Sequence, residues 1–255
     1  MSDPAGAVPL RSVTSGRGGA LLFLHAFGLT PLTYLRTIDL LALSARVIAP
    51  WLRPPGGRWS YARVVDSVIA TLDAEEVATA TVVGHSYGGA VALSVAAAAP
   101  ARVSELVLVD AMGLSPGRAR MARLGLKPSH LRNYTRLAPA RDFVSWVAKH
   151  PRDAASTAWW AWGCDLVEAA DAVRAAAVPR AVLWAEGDSL LPPALGQDLA
   201  DALDAPFRSV TAGSPEERLD HDWAYRHPRR FADELASELG TLSPATRSGA
   251  GAASG

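Results

Sequence analysis

Residues 81–89 read Thr-Val-Val-Gly-His-Ser-Tyr-Gly-Gly, a β-branched run that breaks on Gly-x-Ser-x-Gly and resumes as an Ala-rich stretch of helical composition. A strand that turns into a helix through one serine leaves few folds open. The serine is held in a strained backbone conformation that lifts its hydroxyl above the sheet edge, and glycines two residues to either side leave room for that approach. Ser86 is therefore the candidate nucleophile, with Gly84 and Gly88 as its steric condition.

Around this turn, short continuous apolar runs alternate with longer segments of helical period. The runs at 20–24, 46–49, 81–83, 106–109 and 181–185 read as strands buried on both faces, and a more polar one at 207–211 reads as lying nearer an edge. Tyr61, Val64, Val65, Val68, Ile69 and Leu72 recur three and four apart, so 60–73 predicts a helix with one apolar stripe and Ser60 as N-cap. Thr30-Pro31 opens another helix, to about residue 43. Phe231, Leu235 and Leu239 mark a last helix after Pro228, stopped by Gly240. This alternation predicts an α/β fold: a mostly parallel central sheet covered by helices.

Residues 113–176 interrupt the pattern with helical period and no convincing strand. They predict an inserted helical cap that splits the core into 16–112 and 177–240, with a flexible N-terminus at 1–15 and a Ser/Gly/Ala/Thr-rich disordered tail at 241–255. Within 111–152, nine basic residues accompany one acid, Asp142. That is either a solvated face or a cap that greets an anionic substrate, such as an acyl group on a phosphopantetheine carrier or on coenzyme A.

Composition removes several classes. Lys plus Arg equals Asp plus Glu at 25 each, so no global field argues for nucleic acid or an anionic membrane. The longest weakly polar stretch, 90–101, is too short and Ala-rich to span a bilayer. The first ten residues lack a basic start and an apolar run of signal-peptide length, so a cytoplasmic location is expected. Cys164 is the single cysteine, which excludes an internal disulfide and a Cys-based zinc cluster; it reads as a small buried apolar residue. No cofactor and no metal is called for. High Ala, Arg and Gly content suits a GC-rich bacterial source.

A serine hydroxyl needs a base within reach, itself oriented by a carboxylate. Among six histidines, His25 follows the first clear strand and His85 sits inside the elbow, its side chain directed away from the serine's. His130 and His150 lie in the cap among basic residues. His221 and His227 occupy the loop before the last helix, which reaches the carboxyl ends of the strands. His227 abuts Pro228 and reads as a helix entry, so His221 is the candidate base; its neighbours Asp220 and Asp222 are too local to orient it. Asp188, on a tight loop after 181–185, is the candidate acid, and Asp110 at the end of 106–109 competes, with a turn or capping role as its other reading. An oxyanion needs two N–H donors: the Tyr87 amide at the start of the post-elbow helix, and one from the loop His25-Ala26-Phe27-Gly28. His25, Trp159, Trp160 and Trp162 are candidate substrate contacts, and these tryptophans together with Trp146 form either cap core or a wide aromatic pocket above Ser86.

Taken together, Gly84-His85-Ser86-Tyr87-Gly88-Gly89, the His25–Gly28 loop, Glu186-Gly187-Asp188 and His221-Asp222-Trp223 resemble the α/β-hydrolase superfamily, in its serine-nucleophile branch, over residues 20–239. The resemblance implies Ser86 as nucleophile, Asp188 as acid, His221 as base and the amides of Phe27 and Tyr87 as oxyanion hole, in the order Ser, Asp, His usual there. The haloalkane-dehalogenase and epoxide-hydrolase branches, similar in fold, place an aspartate at the elbow. Two positions depart from the family pattern. Ala26 stands where glycine is usual, and its Cβ opposes a positive φ. Ala185 stands where the strand before the acid commonly ends in glycine, which leaves the turn that delivers Asp188 open.

Three functions follow from these residues. The first is a serine hydrolase that acylates Ser86 and releases the acyl group of a carboxylic ester, thioester or activated amide to water. The second is cofactor-free lyase, cyclising or dioxygenase chemistry on the same scaffold with His221 as base. The third is a non-catalytic protein that binds a small molecule in the same pocket.

Overall fold

The structure is a computed structural model that describes residues 7–53, 59–114, 137–214 and 217–242. The expected tail from residue 243 onward, the first six residues and the cap stretch 115–136, with His130, lie outside the described residues.

Seven strands form one sheet: β1 (Ser12–Ser15), β2 (Ala20–Leu24), β3 (Arg46–Pro50), β4 (Ala80–His85), β5 (Val103–Val109), β6 (Arg180–Ala185) and β7 (Phe207–Val210). Their order is β1-β3-β2-β4-β5-β6-β7, with β1 antiparallel to β3 and every other pairing parallel. The five clear apolar runs and the edge candidate are thus all strands of one α/β sheet. β1 is a correction: residues 12–15 were expected in a flexible N-terminus, but Ser12 pairs with Pro50 and Ser15 with Val47. Its Ser-Val-Thr-Ser sequence carries no apolar run, because an edge strand has little to bury.

The helices are α1 (Leu35–Leu41), α2 (Tyr61–Ala74), α3 (Tyr87–Ala98), α4 (Leu137–Lys149), α5 (Pro151–Trp162), α6 (Val167–Ala175), α7 (Pro193–Leu203), α8 (Trp223–Arg226) and α9 (Pro228–Leu242). The Ser60 hydroxyl accepts from Arg63 N as the N-cap of α2. Thr30 caps a 3-10 turn, Pro31–Tyr34, that leads into α1. α9 passes through Gly240 rather than stopping there, ending two residues later beside a hydrogen bond from Thr241 Oγ1 to the Glu238 carbonyl. Among the described residues no helix is long and apolar enough to cross a membrane.

Strand side chains alternate between two cores. Leu22, Leu24, Val82, Leu106, Leu108, Val182 and Trp184 pack with α2, α3, α6 and α7 on one face. Phe23, Val83, Val107, Val109 and Leu183 pack with Trp223 and with Phe231 and Leu235 of α9 on the other. With both faces covered, the parallel strands read as unbroken apolar runs.

After β3 the chain crosses to the far side of β2 and enters β4, so the strand order reverses between β2 and β4. The loops leaving those two strands flank a crevice of the kind where α/β sheets place their ligands. α3 starts there, pressed against β2: a Cβ on Gly88 would lie 2.1 Å from the Leu24 carbonyl oxygen, and one on Gly84 would lie 2.4 Å from the Gly88 carbonyl oxygen. Neither neighbour is a side chain able to swing away. Gly88→Ala is expected to cost about 3 kcal/mol or more of unfolding free energy, measured by urea denaturation, because two backbones must separate.

Candidate active site

Ser86 sits between β4 and α3 with φ +57 and ψ −118, a conformation outside the usual range for a residue with a side chain. Its backbone is held on both sides: the N–H donates to the Val109 carbonyl at 3.0 Å, and the carbonyl accepts from Gly89 N at 2.9 Å and Met112 N at 3.0 Å. The elbow expected from the sequence is thus a bonded, strained turn.

His221, on the loop before α8, places Nε2 2.9 Å from Ser86 Oγ and Nδ1 2.7 Å from Asp188 Oδ2. All three residues are buried. The Asp188 carboxylate is anchored from its other oxygen, Oδ1, which accepts from Leu190 N at 2.9 Å and Leu191 N at 2.8 Å. Asp188 arrives by a tight turn in which its N–H donates to the Ala185 carbonyl at 3.1 Å, so alanine serves where glycine was usual. Asp220 joins the acid loop to the base loop: its Oδ1 accepts from Ser189 N at 2.9 Å, Ser189 Oγ at 3.0 Å and His221 N at 2.8 Å.

Asp110 takes the other position weighed for the acid and is differently engaged. It ends β5 with φ +42; Oδ1 accepts from Ala185 N at 2.8 Å and Oδ2 from the Trp223 indole. Burial, then the charge of Asp188, pushes its pKa well above the usual carboxylate range. For His221, burial is the largest influence and lowers the pKa. The charge and hydrogen bond of Asp188, with smaller contributions from Asp110 and Asp220, together outweigh it and raise the pKa to about 9.

His85 points away from Ser86, as expected. Its Nε2–H donates to the His221 carbonyl at 2.9 Å, which makes Nδ1 the acceptor for the Tyr34 hydroxyl at 2.7 Å, and that hydroxyl in turn accepts from Ala26 N at 3.3 Å. One hydrogen-bonded chain therefore runs from the oxyanion loop to the backbone of the candidate base. His25 uses both ring nitrogens within the fold, since Nε2 accepts from Leu52 N at 3.1 Å and Nδ1–H donates to the Ala26 carbonyl at 2.9 Å. Burial lowers its pKa to about 4, so the ring stays neutral. His150 precedes α5, and His227 ends α8 at the entry to α9.

The feared positive φ at Ala26 does not arise; the left-handed residue of that loop is Gly28, at φ +70. A Cβ there would lie 2.4 Å from the Phe143 ring of α4. The cap helix is thus fitted to the oxyanion loop, and Asp142 of the same helix latches it, Oδ2 accepting from the hydroxyls of Thr30 and Thr33 at 2.6 Å each. Phe27 meets Tyr87 edge-on at 6.3 Å and Trp146 at 5.1 Å. Trp160 stacks on Tyr61 at 3.6 Å and stands edge-on to Tyr87, whereas Trp159 and Trp162 lie on the outer side of the cap, 66% and 36% exposed. A cavity of about 520 Å³ opens beside the elbow, with Phe27, Tyr87, Trp59 and Trp146 in its walls.

Asp142 was missed as a site residue by reading the sequence, whereas Trp146 is one of the cap tryptophans read as either cap core or pocket wall. Asp142 had left a signal, being the one acid among nine basic residues of 111–152.

A profile described as "Alpha/beta hydrolase family" matches residues 21–234 of this chain. A 2-hydroxymuconate semialdehyde hydrolase of Pseudomonas putida is 42% identical over 77 residues, 28% of this chain and 27% of that protein. The chain spans about a quarter to two fifths of the length of the first curated relatives it matches. Among solved structures, a meta-cleavage product hydrolase from Pseudomonas fluorescens superposes with a TM-score of 0.71 at 21% identity, covering 91% of this chain and 94% of that one. A carboxylesterase structure from Nitrososphaera gargenis superposes with a TM-score of 0.72 at 18% identity, covering 96% and 98%.

Asp142→Ala leaves two threonine hydroxyls without their shared acceptor. It is expected to lower unfolding free energy by about 2 kcal/mol and to speed proteolytic cleavage within the cap.

Proposed function

Because the chain belongs to the alpha/beta hydrolase family, we propose that it is a serine hydrolase acting on a carboxylic ester, thioester or activated amide through an acyl-enzyme. The observation that carries this reading is the pair of contacts at His221, 2.9 Å to the Ser86 hydroxyl and 2.7 Å to Asp188. Neutral His221 takes the Ser86 proton at Nε2 as Oγ attacks the substrate carbonyl, and Asp188 holds the Nδ1–H and balances the imidazolium that forms. The imidazolium then protonates the leaving group. Water, deprotonated by the same ring, releases the acyl group and restores Ser86.

The oxyanion falls to the amides of Phe27 and Tyr87, for which no hydrogen-bond acceptor occurs among the described residues. The Tyr87 amide also heads α3, where the helix dipole favours negative charge. The aromatic walls Phe27, Trp59 and Trp146 suit a bulky or planar acyl group. Of the relatives named above, the carboxylesterase carries a name of this class, whereas the semialdehyde hydrolase and the meta-cleavage product hydrolase are named as hydrolases but not for esters, thioesters or amides.

An organophosphonate probe is expected to add one phosphonyl group to the intact protein, seen by mass spectrometry, and none to Ser86→Ala. Ser86→Ala should also lower kcat/KM on a short p-nitrophenyl ester by roughly a thousandfold or more. Loss of activity in His221→Ala with no labelling at Ser86 would instead favour the non-hydrolytic reading.

The base must be unprotonated to act, and a pKa of about 9 keeps it protonated below that pH. The measured kcat/KM is therefore expected to climb with pH toward about 9, falling roughly tenfold for each unit below. An acid limb centred near the ordinary imidazole value of about 6.5 would contradict this.

A further inference from the structure

The cavity beside the elbow has a second character at its rim. Arg11, Arg53, Lys149 and His150 line it, drawn from the segment before β1, the loop after β3, the end of α4 and the turn into α5. Distant stretches of chain thus bring like charges together in a protein of zero net charge. Asp142 is the acid of the lining, and Asp153 stands beside Arg53. Asp142 spends Oδ2 on two threonine hydroxyls, and Asp153 reaches Arg53 only at 4.0 Å. Arg11 stacks on Trp51 at 4.6 Å, a contact that orients the guanidinium without neutralising it.

His150 senses this field: its pKa is lowered, by burial first and then by the charges of Arg53 and Lys149, with Asp153 opposing them. Arg11, Arg53 and Lys149 against the single lining carboxylate of Asp142 leave an excess of positive charge at the mouth, complementary to a negatively charged ligand.

We propose that this cavity holds the anionic end of the substrate, a carboxylate or phosphate placed between Arg53 and Lys149 while the scissile carbonyl lies at Ser86. This rests on the serine-hydrolase reading for the chemistry but not for the binding. The Arg53 guanidinium suits a planar carboxylate, which it can grip through two parallel N–H donors.

The test compares p-nitrophenyl hemiglutarate with p-nitrophenyl pentanoate, of the same acyl length but without the charge. Wild type is expected to prefer the hemiglutarate by about fivefold or more in kcat/KM, and the ratio should fall to near one in the Arg53→Gln/Lys149→Gln double variant. Competitive inhibition by glutarate and by inorganic phosphate, measured separately, distinguishes the two anions; inhibition by neither counts against the site. A ratio near one in wild type, or one unchanged in the double variant, overturns the proposal while leaving Ser86 chemistry intact. Glutarate binding to Ser86→Ala, followed by calorimetry, reads the site without turnover. If neither ester is cleaved but glutarate binds and the double variant loses it, the hydrolase reading fails and the anion site stands. If Ser86→Ala, folded by circular dichroism, binds neither glutarate nor phosphate, the anion site fails.

Discussion

The close passage of α3 beneath the end of β2 is the constraint on which the rest of the site depends. For the helix to start there, the chain must reverse within one residue, and Ser86 takes that reversal at φ +57. The strain is held by hydrogen bonds at both of its backbone groups, to β5 on one side and to the loop after β5 on the other. Strain of this kind costs on the order of 1–3 kcal/mol and persists where surrounding packing over-determines it. The two apolar layers on either face of the sheet supply that packing. What is gained is a hydroxyl fixed at the strand-order reversal, reachable by loops from three other strands.

A second constraint is electrostatic. Asp110 and Asp188 are both buried near one imidazole, and a low-dielectric interior does not readily hold two carboxylate charges there. Their environments separate them. Asp188 has two backbone N–H donors on one oxygen and the His221 ring on the other. Asp110 accepts from one amide and one indole, and burial, then the charge of Asp188, drives its pKa upward. The charge that orients His221 thus rests on Asp188, while Asp110 ties the ends of β5 and β6 to Trp223. Sequence position alone had left both open, because each follows an apolar strand and each faces the same rim.

How legible each feature was follows from where its physics resides. The elbow could be read because the glycines and the β-branched run are local, and the clash distances at Gly84 and Gly88 show why no other residue fits. The core strands could be read because burial on two faces demands unbroken apolar runs. β1 was lost because an exposed edge makes no such demand, and its Ser and Thr side chains instead reach Glu75 of the segment after α2. Of the tryptophans, Trp160 turns toward Tyr87 while Trp159 faces outward, a difference set by helix phase against a neighbour that composition does not identify. The concern over Ala26 came from assigning the left-handed residue to the wrong position of a four-residue loop; Gly28 carries it.

The loop that bears Phe27 is shaped from two directions. From the core, Tyr34 takes the Ala26 N–H and His25 reaches across to Leu52. From the cap, Phe143 fills the space that a side chain at 28 would need, and Asp142 binds the two threonines that follow. α4 therefore cannot retreat from the core without unpairing those hydroxyls and uncovering the ring contacts of Phe27 with Phe143 and Trp146. Because Trp146 and Lys149 of the same helix also line the cavity, a ligand seated there would press on the element that fixes the loop bearing Phe27. On the proposed function, substrate shape is thereby coupled to the placement of the Phe27 amide through side-chain packing alone, with the cap as part of the site rather than a cover over it.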